Sequence, residues 1–195
     1  MTTLTELRTR LRQQLHDVTS LRWDDTALDR HLAHAIEELS QAMPRKLGAA
    51  LATTAGSREL SLETLGGLID VERVEYPVGC YPPALIGFQL WGDTLIIDSA
   101  VTPSGDDARI SYTVHHTLDD DGSTLTPFQE ELVVLAASAF AVIELAAGSI
   151  DTLTTGGPTV PAELRAWAQA RHISFRQLLH QYGKRPRLRM RRVVA

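Results

Sequence analysis

Trp23-Asp24-Asp25-Thr26-Ala27-Leu28-Asp29-Arg30-His31-Leu32-Ala33-His34-Ala35-Ile36-Glu37-Glu38-Leu39 opens as a helix start and continues as one amphipathic stripe. Asp24 is placed to cap the free N–H groups, and Asp25 favours the positive end of the helix dipole. With Asp24 as N-cap, Trp23 and Leu28 take the two positions of a hydrophobic staple. Leu28, Leu32, Ala35, Ile36 and Leu39 recur at the spacing of one helical face until Pro44, which predicts a helix over about 24–43. Upstream, Leu4, Leu7, Leu11 and Leu15 share a face of a helix predicted from Thr3 to Val18, broken by Thr19 and Ser20. Two such helices joined by a short turn are expected to pack as a hairpin.

Downstream the period changes from 3.6 to 2. Val71, Arg73 and Glu75 alternate with Glu72, Val74 and Tyr76, and Ile110, Tyr112 and Val114 with Arg109, Ser111 and Thr113. Leu85 to Trp91 and Leu95 to Ile97 flank Gly92-Asp93, a hairpin connection. Pro77, Gly79, Pro82, Pro83, Pro103 and Gly105 punctuate the zone. The expectation is a small antiparallel sheet of about four strands over about 51–116, inserted between the second and third long helices.

Helical signals then return. Thr126 as N-cap, Pro127 at N1 and Gln129 at N3 start a helix over about 127–147, apolar on nearly every face from Leu132 to Ala147 and stopped by Gly148. Ser138 and Glu144 interrupt that run, which is also shorter than the roughly 20 residues a bilayer needs, so a buried helix is the expectation. Leu164, Trp167, Ala168, Phe175, Leu178, Leu179 and Tyr182 mark a last helix over about 161–182, ended by Gly183. The fold class is therefore α+β, a predominantly helical bundle of about four helices with an inserted sheet. It is read as a single domain over residues 1–183 followed by a basic tail at 184–195.

With 195 residues, 44% hydrophobic and 22% charged, the chain can bury a core without staples. Its single cysteine, Cys80, rules out an intramolecular disulfide and a cysteine zinc cluster. Met1 to Arg12 is polar and periodic, so no signal peptide is expected there. The net charge of −5 hides an asymmetry: six of the 19 Lys and Arg residues lie from Lys184 onward, with no acid. That leaves 13 against 24 acids, a net of −11, on residues 1–183. An acidic body with a basic tail points to a separate partner for the tail.

Three groups are candidates for chemistry. His31 and His34 with Glu38 share a helix face at metal-ligand spacing, but zinc needs a third protein ligand that the sequence does not supply. Asp119, Asp121, Gly122 and Ser123, with Glu130 at the twelfth position, partly follow a calcium loop. The intervening Thr124, Leu125 and Pro127 favour a solvated turn before a helix. His115-His116 lies near those aspartates, an arrangement open to acid–base work. No nucleophile elbow, phosphate loop or cofactor fingerprint accompanies them, so neither an enzyme, a metal nor a cofactor is expected. The tail suits phosphate contact or an acidic groove on a protein. It lacks the aromatics that stack on bases, so sequence-specific readout is not expected.

The segment Leu15 to Arg45, with Trp23-Asp24-Asp25, Leu28, Leu32, Ala35, Ile36, Leu39 and Pro44, resembles the opening of tailed-phage head-to-tail adaptor (connector) proteins. A second segment, Tyr112 to Ala147, matches through Leu118, the acidic turn and Leu125-Thr126-Pro127. The intervening sheet is similar to the insertion of tail-tubular-type adaptors. The resemblance implies a structural virion protein of the phage neck, made in the host cytoplasm. It implies a homo-oligomeric twelve-fold ring between the portal protein and the tail or next neck protein. Genomic DNA would pass through the lumen without sequence-specific binding, and no membrane is involved. Trp23, Leu28, Leu32, Ile36, Leu132, Leu135 and Phe140 would be core or ring-packing positions. Lys184, Arg185, Arg187, Leu188, Arg189, Met190, Arg191 and Arg192 would dock on the portal. The rivals are another tail-completion protein, a nucleic-acid-binding accessory protein using the tail, and a metal-dependent hydrolase built on His31, His34 or His115.

Overall fold

The computed structural model describes residues 2–100, 102–148 and 159–183. Two helices, α1 (Leu4–Gln14) and α2 (Asp25–Ala42), come first. Six strands follow: β1 (Arg45–Ala52), β2 (Glu59–Ser61), β3 (Leu68–Glu75), β4 (Leu85–Trp91), β5 (Thr94–Asp98) and β6 (Asp107–Val114). Helices α3 (Pro127–Gly148) and α4 (Thr159–Tyr182) end the described chain. The residues divide into two compact units, the helices with their connections and the stretch Pro44–His115.

In the helical unit the ends are set by local chemistry. Thr3 and Glu6 close a reciprocal capping box at the start of α1. Asp24 accepts the amide of Ala27 at 2.6 Å at the start of α2. At α3, Thr126 accepts from the amide of Gln129 at 3.4 Å, and the Gln129 side chain accepts from the amide of Thr126 at 2.9 Å. Each bond satisfies a donor that the first helical turn leaves orphaned. At the end of α4 the amide of Gly183 reaches Leu179 O at 2.7 Å. A Cβ on Gly183 would lie 2.3 Å from that oxygen and 3.2 Å from Ala42 O, so only glycine fits this close approach.

Leu7, Leu11, Leu28, Leu32, Leu39 and Phe175 are fully buried in one core, where α3 contributes residues from almost all of its faces. Helix α3 is long and apolar enough to cross a membrane by length and composition, and 12 of its 22 residues are buried in the protein. Polar clasps complete the packing of α1 on α2. Arg8 holds Asp29 through two bonds of 2.7 and 2.8 Å and reaches Asp25 at 3.2 Å. Arg12 donates to Asp25 at 2.6 Å.

The six strands form one antiparallel sheet in the order β1-β6-β3-β4-β5-β2. Its inner face carries a second core, with Val71, Val74, Leu95, Ile97, Ala108 and Ile110 among the buried residues. β4 and β5 form a tight hairpin in which Trp91 faces Thr94, and Gly92 supplies the positive φ of 58° that such a turn requires. β3 is irregular, with register shifts between Leu68 and Asp70 and between Val71 and Arg73.

Three expectations are corrected. The sheet is larger than the small four-stranded insertion anticipated, and it starts at Arg45, not near residue 51, as a unit with its own core. The added strand β1, Arg45-Lys-Leu-Gly-Ala-Ala-Leu-Ala52, has little intrinsic β preference, and its strand state comes from eight pairings with β6. The first helix ends at Gln14 instead of Val18, because His16 adopts φ 53° and turns the chain back. The last helix begins at Thr159, two residues before the expected start.

Candidate interaction site

The connection between α1 and α2 is built around a buried carboxylate. Asp17, 4% exposed, accepts the amides of Leu21 at 2.9 Å, Arg22 at 3.2 Å and Trp23 at 3.1 Å. Arg12 lies 3.4 Å from the same carboxylate and donates to Trp23 O at 3.0 Å. Burial alone would raise the pKa of Asp17. The three amides and the Arg12 guanidinium outweigh it and hold the carboxyl below its ordinary value. The loop is thus folded inward around its polar centre and turns its apolar side chains outward, leaving Val18 72% and Leu21 84% exposed. Beside it, Leu15, Trp23, Val142, Leu145, Leu164 and Trp167 line an open groove of about 420 Å³. Large exposed apolar residues held on an ordered frame are the usual mark of a protein contact.

The residues expected at core or ring-packing positions lie within the helical unit. Trp23, Leu28, Leu32, Ile36 and Leu132 are buried in its core, and Leu135 and Phe140 pack partly buried against it. The segment assigned to portal docking, Lys184 to Arg192, lies outside the described residues.

The histidine candidates separate. His31 is buried, with Nε2 3.4 Å from Glu144, and burial lowers its pKa more than Glu144 raises it. His34 stacks on Phe140 at 4.5 Å and lies 3.6 Å from Glu38, while His172 meets the same ring edge-on at 5.6 Å. His34 and His172 therefore pack around one aromatic ring, whereas His31 lies beside Glu144. Among the described residues no group of three or more His, Cys, Asp or Glu side chains is placed to hold a metal ion.

The acidic turn and His116 are likewise occupied by structural bonds. Asp119 accepts the amides of Asp121 at 3.0 Å and Gly122 at 2.9 Å, and Glu130 pairs with Arg10 at 2.9 Å. His115 is exposed whereas His116 is buried. His116 Nε2 sits 3.0 Å from Met43 O, its amide donates to Ser40 at 3.0 Å, and its Nδ1 sits 3.1 Å from Thr124 O. The imidazole thereby ties the point where the chain leaves the helical unit to the point where it returns.

Sequence reasoning missed Asp17 and the Arg8/Arg12 clasp. The signal for the clasp was present: Arg8 and Arg12 lie four apart on one helix, and Asp25 and Asp29 four apart on the next. Nothing local distinguishes Asp17 from any polar turn residue, because its role depends on three amides up to six residues away.

The sheet unit offers three further surface features. Arg73, Glu75, Pro83, Leu85 and Arg109 line a shallow groove of about 290 Å³, in which Arg109 pairs with Glu75 at 3.2 Å. Tyr81, in a bend, and Trp91, at the end of β4, are 98% and 67% exposed. The strand β2 forms one lateral edge of the sheet, and the exposed Glu59 and Ser61 mark its outer face. Compared with known proteins, the chain matches no protein-family model and no curated protein.

Proposed function

We propose that this chain is a non-enzymatic structural protein of a tailed-phage neck. In this reading it is a ring-forming adaptor between the portal and the tail, with the genome passing through its lumen. The observation that carries the reading is the ordered loop before the Trp23-Asp24-Asp25 helix start, which holds Val18 and Leu21 outward on a buried Asp17. A rigid apolar projection at the segment that resembles the adaptors is what subunit-to-subunit packing requires. The charge distribution supports it further. A net of −11 on residues 1–183 disfavours a tight hold on passing DNA, and the six basic residues from Lys184 onward suit an acidic docking site on the portal.

The test is the solution mass of the protein alone and after mixing with its cognate portal. A large ring, or a chain that joins the portal only with residues 184–195 intact, supports the adaptor. A monomer indifferent to the portal overturns it. The arginine-rich tail favours one second reading, a nucleic-acid-binding accessory protein. That reading requires DNA affinity that falls steeply with salt and disappears when residues 184–195 are removed.

A further inference from the structure

The two lateral edges of the sheet differ in charge. At β1 the edge begins with the exposed Arg45 and Lys46. At the other edge lies β2, Glu59-Leu60-Ser61, followed by Leu62 and by Glu63 at the start of a turn in which the Glu63 amide donates to Ser61 Oγ at 3.4 Å. Ile97 N donates to Arg58 O at 2.9 Å and Leu62 N to Asp93 O at 2.8 Å. The even-numbered residues therefore turn their backbone groups to the neighbouring strand, and Glu59 and Ser61 turn theirs outward, where the Glu59 amide donates to Ser57 Oγ at 3.1 Å. Side chains follow the same alternation: Glu59, Ser61 and Glu63 are exposed, while Leu60 and Leu62 are buried in the inner face. This edge reads acid, apolar, polar, apolar, acid.

One segment of the chain reads as its complement. Arg187-Leu188-Arg189-Met190-Arg191 alternates base and apolar residue over the same length. Set beside the edge as an extended strand, it places Leu188 and Met190 against the Leu62 and Leu60 side of the sheet. Arg187 and Arg191 then fall opposite Glu63 and Glu59. The β1 edge would oppose the same segment with like charges.

We infer that residues 187–191 of one copy add as a further strand to the Glu59–Glu63 edge of a second copy. The donor segment and the acceptor edge are different surfaces, so the contact is heterologous and propagates from copy to copy, as ring closure requires. The inference deepens the ring reading by naming what joins the copies before a portal is present. A tail seated on a neighbour is not free for another partner, so portal and neighbour compete for it.

The experiment is sedimentation equilibrium of the full-length chain and its charge variants, without a portal. The wild type self-associates. Glu59→Lys with Glu63→Lys weakens association by about tenfold or more, as does Arg187→Glu with Arg191→Glu, and all four changes in one chain restore it. Exchanging two neighbours, Leu188→Arg with Arg189→Leu, keeps the charge but breaks the alternation, and also weakens association. A monomeric wild type overturns the inference. So do charge variants that associate unchanged, a quadruple variant no better than its parents, or an exchanged variant equal to the wild type. Portal binding by a monomeric chain would keep the adaptor reading while sinking this one. Strand-dependent association in a chain that ignores the portal would do the reverse.

Discussion

The helical unit and the sheet unit are held by different kinds of information. Every described helix start with a side-chain cap uses residues within three positions of it: Thr3 with Glu6, Asp24 with Ala27, and Thr126 with Gln129. The sheet is held by pairings between distant residues, such as Arg45 with Val114 and Leu68 with Val114. Local bonds compete only with a few backbone torsions, whereas long-range pairing must first offset the entropy of closing a loop. Periodicity therefore located the helices closely but undercounted the strands.

The largest effect that tests this division comes from the two cores. Leu32→Ala in the helical core and Ile110→Ala in the sheet core each remove a fully buried side chain and are expected to cost about 2–5 kcal/mol. Hydrogen exchange should show protection lost within the unit that carries the substitution. Loss spread equally over both units would make them one cooperative structure and break the comparison.

Next in size is the carboxylate of the α1–α2 loop. Asp17→Ala leaves the amides of Leu21, Arg22 and Trp23 without their acceptor and is expected to cost about 2–3 kcal/mol by urea unfolding. The same residue makes a pH prediction. Its folded-state pKa is held below the ordinary value, so the unfolded chain takes up the proton first as pH falls. The stabilisation is therefore complete above about pH 4 and is lost as pH drops through the folded-state value. Asp17→Asn should flatten that acid limb, and an unchanged limb would place the titrating group elsewhere.

Smaller effects set a local device in one unit against its counterpart in the other. Removing the cap with Asp24→Ala is expected to cost about 1 kcal/mol. Gly92→Ala in the hairpin, where φ is 58°, is expected to cost about the same. Thermal unfolding followed by circular dichroism measures both. A cap effect well above the turn effect would mean that helix starts matter more than the sheet's own turns. The smallest effect is the Arg8–Asp29 clasp, where a double-mutant cycle should return about 0.5–1 kcal/mol, because both side chains are partly exposed.

Several details of the candidate site were visible in the sequence, and others were not. Trp23 and Leu28 were placed by the stripe and the cap, and they lie in the helical core as that pattern demands. The histidines of α2 shared a face, yet α3 decides their surroundings, setting Phe140 against His34 and Glu144 beside His31. Glu130 stood at a calcium-loop position, and Arg10 claims it from more than a hundred residues away. The spacing of a motif states which side chains share a face and is silent about what the rest of the chain brings to that face.

By itself the sequence determined the α+β class, the starts of the first three helices, the β4–β5 hairpin and the charge contrast between body and tail. Each depends on torsional preference, side-chain period or composition within a short window. Tertiary structure alone decided that Arg45 to Ala52 is a strand, that α1 stops at Gln14, and that Asp17 becomes a buried anchor presenting Val18 and Leu21. In each of these the stabilising partner, whether a paired strand, a set of amides or an arginine clasp, lies beyond the reach of local preference. The energy of meeting it overrides what the segment would do alone.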